Sequence, residues 1–290
     1  MAVKTDTLIE YFSDKLGLNP KTLSRYLNQR QTEYYNLEYY LAIAYYWHRI
    51  SYGTIRELFL SYVRRKMDIA VDIGCGCGLY SQLVLERARE YIGVDSSRSA
   101  IELAKKIYEN RLDMKFVCED AVNMKGEENS IDLIFCTEVI EHINDNVPLF
   151  DNFHKLLRKG GMLFLTTTTY YYYIGQLFTS YIYKDIVRRR DYQQFLNRLR
   201  LYFYGFGGAE QRTRFIREGL EREDHVHAFT FKQLKVLLDD TNFKIMNYDY
   251  FNCKDIFYGL KSFPINALLR RVFHTSKVYG PNIALILSPT

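Results

Sequence analysis

Two stretches of this chain combine residue types that can do chemistry. The first is MDIAVDIGCGCG at residues 67–78, an apolar run that ends at Asp72 and then at Gly74, Gly76 and Gly78. Glycines there let the backbone turn tightly and approach a ligand, because no side chain stands in the way. A second short strand, Tyr91-Ile92-Gly93-Val94, ends at Asp95, 21 residues after Gly74. A carboxylate at that place can accept both hydroxyls of a ribose. The second stretch holds Glu138, Glu141 and His142, spaced i, i+3 and i+4, so that a helical turn puts them on one side. Far along the chain Asp224-His225-Val226-His227 precedes Phe229-Thr230. Carboxylates beside imidazoles can hold a divalent ion or move a proton. His142, His227 and Glu141 are therefore the candidate catalytic residues.

These residues need a frame. Ile69 to Ile73 predicts a buried strand, and Leu79 to Leu85 has helical spacing, which sets the glycines between a strand and a helix. Met114 to Val117 leads to Glu119-Asp120-Ala121, and Ile131 to Cys136 leads to Thr137 and Glu138. Phe153 to Gly161 closes a helix and turns into a fifth strand, Met162 to Thr166. Phe229 to Leu238 predicts a helix capped by Thr230. Phe243–Tyr248 and Pro281–Leu287 predict two more strands. The fold class is α/β.

This ordered set resembles the class I S-adenosylmethionine-dependent methyltransferases, over roughly residues 67–168 and again at 229–288. The spacing G-x-G-x-G sets it apart from nicotinamide and flavin enzymes. The resemblance implies a Rossmann-like, mostly parallel seven-stranded sheet whose last strand is antiparallel. It implies S-adenosyl-L-methionine as cofactor, with Asp72, Gly74, Cys75 and Gly76 at the methionine end and Asp95 with Ser96 at the ribose. Asp120 and Ala121 would meet the adenine, and Thr137 would lie under the sulfonium. An N-cap or a solvated loop acid is the plainer account of each carboxylate.

The E-x-x-E-H cluster is similar to the metal-binding cluster of the ubiquinone-pathway O-methyltransferases. With a D-H before an aromatic-Thr, it also resembles the small-RNA 2′-O-methyltransferases. Carried over, Glu138, Glu141, His142 and His225 would hold Mg²⁺ or Mn²⁺. Metal-free relatives carry the same E-x-x-E-H; there His142 or His227 would serve as base.

Composition narrows the classes. In 290 residues, 48% hydrophobic, no apolar run approaches the length of a bilayer span, about 18 residues. The start, MAVKTDTLIEYF, has no signal-peptide core. Five cysteines, an odd number, read as small residues of a reducing compartment, so a cytoplasmic protein is expected.

Residues 1–66 are expected to form a helical lid, with Tyr34, Leu37, Leu41, Ala44, Tyr45 and His48 on one helix face. Within them, residues 12–27 resemble a helix-turn-helix, for which an αα-corner is the plainer account. Residues 67–290 are expected to form the catalytic domain, interrupted after the fifth strand by a helical insertion at 169–228. From Lys184 to Arg222 ten basic residues face five acidic ones, a surplus of +5 that equals the whole chain's. Together with its many tyrosines, this suits an acceptor cover.

The expected function is methyl transfer to O or N of a small or medium-sized metabolite, such as a glycan, lipid or peptide intermediate. Metal-dependent RNA 2′-O-methylation, or a DNA-binding regulator that senses S-adenosylmethionine, are the alternatives.

Overall fold

Eight strands form one sheet in the order β3-β2-β1-β4-β5-β8-β6-β7 in the computed structural model. It describes residues 5–16, 19–21, 51–173, 225–251, 275–276 and 280–290, with the single positions 24, 41, 45 and 193. The strands are β1 (Met67–Ile73), β2 (Ala88–Asp95), β3 (Met114–Cys118), β4 (Ile131–Thr137), β5 (Leu157–Thr168), β6 (Phe243–Phe251), β7 (Thr275–Ser276) and β8 (Asn282–Pro289). β1 to β5 are parallel, and β8 runs antiparallel between β5 and β6. The two residues of β7 add an eighth, edge strand beyond the seven that the sequence predicts.

Parallel strands covered on both faces are buried along their length and mostly apolar, and β4 is buried at every residue. On one face, Phe150, Phe153 and Leu156 of α5 (Val147–Leu156) pack with Leu234 and Leu238 of α6 (Phe231–Asp240). The other face is covered by α2 (Tyr52–Tyr62), α3 (Ser81–Leu85) and α4 (Arg98–Ile107). Phe59 of α2 meets Phe135 and Phe164 edge-on, at 5.2 and 5.3 Å. The helix nearest β1 is thus part of the core. Before it, α1 (Thr5–Leu16) buries Phe12, and Tyr11 meets Tyr45 edge-on at 4.7 Å.

Caps follow the sequence. Ser97 accepts from the Ala100 N–H to start α4, and Thr230 with Gln233 forms a reciprocal cap on α6. β5 is longer than the sequence predicts. It starts at Leu157, passes Gly160 at φ +76° and reaches Thr168, because its pairing with β8 continues through the threonines. The rest of the helix-turn-helix segment, most of the Tyr34–His48 face and most of the insertion at 169–228 lie outside the described residues.

Candidate active site

The glycine loop closes over the end of β2. Gly74 and Cys75 both donate to the Val94 carbonyl, at 2.8 and 3.2 Å. The Gly76 N–H donates to Asp95 Oδ2 at 2.8 Å, and Asp95 Oδ1 accepts from the Ser97 N–H at 2.8 Å. Asp95 therefore ties the loop to its own strand end. Gly74 has φ +71°, and a Cβ on it would lie 2.4 Å from Val139 Cγ2. Only glycine fits there.

Beneath the loop, buried Asp72 accepts from the Tyr91 hydroxyl at 2.7 Å, and burial pushes its pKa up to about 7. An ammonium group above it would restore the ionised form. Cys75 is buried and donates its thiol to the Gly76 carbonyl at 3.5 Å. A Cβ on Gly93 would stand 2.8 Å from its sulfur, so Cys75 fills space below the loop and offers a ligand only its backbone. Burial raises the Cys75 thiol and pushes Cys77 up to about 12, which leaves neither a nucleophile.

Ser96 is exposed beside Asp95. Asp120 is exposed and caps the short turn Ala121–Asn123, accepting from Val122 N–H at 3.0 Å and Asn123 Nδ2 at 2.9 Å. The plainer account of Asp120 thus holds beside the expected adenine contact. Thr137 is buried where β4 ends opposite Thr166. Tyr80, which the sequence analysis did not single out, leaves the glycine loop and stacks on Tyr52 of α2, centroids 5.5 Å apart. Its signal was an aromatic two residues after the third glycine.

The cluster of acids and histidines is built differently from the expected helical turn. Glu138 has a left-handed backbone, φ +53°, and a tight 3₁₀ turn, Ile140–His142, follows it. The conformation is held from several sides. The Glu138 N–H donates to the Thr166 carbonyl at 3.0 Å. Its Oε1 accepts from Thr166 Oγ1 at 2.8 Å, and its Oε2 from Thr168 Oγ1 at 2.9 Å and Asn282 Nδ2 at 3.1 Å.

Residues two apart on a strand share a face, so Thr167 points the other way and donates to Glu141 Oε2 at 2.7 Å. Glu141 Oε1 is buried with no amide or hydroxyl donor beside it. Burial raises the pKa of Glu141, and burial together with the Glu141 charge raises that of Glu138 further. The run of threonines at 166–168 was the missed signal: hydroxyls ending an otherwise apolar strand.

The distant histidines are brought in by backbone. The Glu141 carbonyl accepts from the Val226 and His227 N–H groups, at 2.8 and 3.1 Å. This seats His225 against His142, ring centroids 4.6 Å apart and nearly perpendicular. Among the described residues, Glu141, His142 and His225 have ligand atoms within 4.8 Å of one another. Burial and the neighbouring His142 lower the His225 pKa to about 3, so this ring is neutral.

Glu138, expected as a fourth ligand, is not in that group; its oxygens accept from Thr166, Thr168 and Asn282. His227, expected as a base, turns Nε2 to the Asn144 carbonyl at 3.0 Å. A carbonyl only accepts, so that nitrogen carries the proton and braces the loop.

Residues 71–165 match the family described as Methyltransferase domain. The fold, the glycine loop and this match define the class of that segment: residues 71–165 form a methyltransferase domain of the class I S-adenosylmethionine-dependent kind. A ubiquinone biosynthesis O-methyltransferase of Coxiella burnetii is 30% identical over 134 residues, 44% of this chain and 55% of that protein. A malonyl-[acyl-carrier protein] O-methyltransferase of Ilyobacter polytropus is 30% identical over 109 residues, 37% of this chain and 40% of that one. The chain thus spans about half the length of the curated relatives it matches.

Among solved structures, geranyl diphosphate C-methyltransferase from Streptomyces coelicolor A3(2) shares the fold. Its TM-score is 0.53 at 12% identity, over 92% of this chain and 87% of that one. No helix among the described residues is long and apolar enough to cross a membrane.

Proposed function

We propose that this protein transfers the methyl group of S-adenosylmethionine to an oxygen of a small or medium-sized metabolite, with Glu141, His142 and His225 holding a divalent cation beside the acceptor. One observation carries the cation: the buried Glu141 carboxylate grouped with two imidazoles, His142 and His225, their ligand atoms within 4.8 Å of one another. Oxygen and nitrogen donors without thiolate favour Mn²⁺ or Mg²⁺, and the pair of imidazoles favours Mn²⁺ of the two. Oxygen as the methylated atom is supported by the two curated relatives, both O-methyltransferases by name.

S-adenosylmethionine supplies a methyl group on a sulfonium, and a bound cation would supply the charge that lowers the pKa of an acceptor hydroxyl. The chain does the rest by positioning. The glycine loop leaves room for the methionine tail, Asp72 faces its ammonium, and Asp95 accepts from the ribose. Asp120 with Ala121 borders the adenine, and Thr137 closes the floor. Holding donor and acceptor about 3 Å apart and aligned supplies most of the acceleration available to a displacement of this kind. By its composition and its position after the fifth strand, the insertion at 169–228 is the candidate acceptor cover. A lipid, glycan or peptide intermediate bearing a hydroxyl suits a segment rich in tyrosine and basic residues.

The test is calorimetric titration with Mn²⁺ and Mg²⁺, followed by transfer of labelled methyl to a catechol probe before and after exhaustive chelation. Binding of one ion per chain, and activity lost on chelation and restored by Mn²⁺, is the expected result. Undiminished activity after chelation removes the cation, and His142 then becomes the base.

A further inference from the structure

The Tyr173 hydroxyl lies 2.5 Å from His225 Nδ1. The tyrosine ring is fully buried and stands perpendicular to the imidazole, centroids 6.2 Å apart. Its place is fixed by backbone pairing rather than by the histidine. Thr169 bridges to Phe229, the Tyr170 N–H donates to the Phe229 carbonyl at 2.9 Å, and Thr169 Oγ1 donates to the Gly280 carbonyl at 2.5 Å. These contacts join the two ends of the segment 169–228. Tyr173 on one end therefore meets His225 on the other, 52 residues away.

From this we infer that Tyr173 is a positioning residue for His225: its phenol oxygen accepts a hydrogen bond from Nδ1–H and leaves the unprotonated Nε2 as the nitrogen that faces Glu141 and His142. A neutral imidazole carries one proton, and the nitrogen that binds a cation must be the other one. Outer partners of this kind fix both the tautomer and the ring's orientation. A phenol can also donate, so its acceptor role is a specific claim. The inference rests on the cation reading above for its purpose, but its tautomer can be measured without any ion.

The test uses the full chain labelled with ¹⁵N at histidine. In metal-free wild type the His225 spectrum is expected to show the proton on Nδ1; a proton on Nε2 overturns the inference. Mn²⁺ calorimetry on Tyr173→Phe is expected to show affinity lowered about 10–100-fold, with affinity for S-adenosylhomocysteine within about twofold of wild type. Unchanged Mn²⁺ affinity in Tyr173→Phe, where His225→Ala abolishes it, also overturns the inference. If neither wild type nor His225→Ala binds Mn²⁺, the cation reading fails, and the ¹⁵N spectrum still decides what Tyr173 does.

Discussion

Asp95 accepts from a backbone N–H with each of its oxygens. Asparagine in its place would turn an amide N–H toward Gly76 or Ser97, donor against donor. With charged hydrogen bonds worth roughly 1.5–3 kcal/mol, Asp95→Asn is expected to weaken S-adenosylhomocysteine binding at least about tenfold, measured by calorimetry. Asp72 titrates with the opposite sign from an ordinary paired acid. Burial holds its folded pKa near 7, above the ordinary 3.8, so the fold keeps a proton that the unfolded chain releases. Its contribution to stability therefore falls as pH rises through that window. The ammonium of the donor favours the ionised form, so donor affinity rises over the same window. Asp72→Asn should flatten both trends relative to wild type in paired denaturation and binding series; trends identical in the variant would contradict this origin. At this scale the sequence pointed to Asp72, Asp95, Glu141, His142 and His225, because acids and imidazoles at strand ends carry their chemistry with them, and the structure brings Glu141, His142 and His225 together. It could not separate Glu138 from Glu141. That depends on which threonine hydroxyl points to which face, and so on where β5 ends.

The elements act through their joints. Gly74 meets Val139, which follows the left-handed Glu138, so the cofactor loop and the cluster loop interlock at one contact. Gly74→Ala places a methyl 2.4 Å from Val139 Cγ2 at φ +71°. Backbone strain of roughly 1–2 kcal/mol adds to overpacking of about 1–3 kcal/mol. Pairing it with Val139→Ala should return only the packing part, so thermal denaturation of the double variant is expected to fall between wild type and Gly74→Ala. Equal melting of single and double variants would show that the contact does not matter. Strand periodicity and the glycine punctuation foretold β1 to β4, and Thr230 foretold the cap on α6; the antiparallel last strand came from the family resemblance. The 3₁₀ turn at 140–142 was hidden, because i, i+3 and i+4 spacing describes an α-helical turn equally well. Only the Glu138 anchors decide against it.

Across the whole molecule, the ends of the insertion are joined at Thr169, Tyr170 and Phe229, beside the cluster. If the segment between them covers the acceptor, its ten basic residues from Lys184 to Arg222 offer trypsin its sites. Cleavage there should slow several-fold when S-adenosylhomocysteine and an acceptor are bound together; a rate untouched by both would separate the insertion from the acceptor. The sequence revealed this segment as an interruption by composition and position alone. The pairing of its ends was not legible, because a single parallel bridge leaves no periodic trace. The account depends most on the glycine loop and Asp95 gripping one nucleoside with a methionine tail. Calorimetry of the purified full chain with S-adenosylmethionine and S-adenosylhomocysteine tests this directly. Saturable binding of both, at one site per chain and weakened in Asp95→Asn, is the predicted result, and no heat from either ligand at millimolar concentration would contradict it.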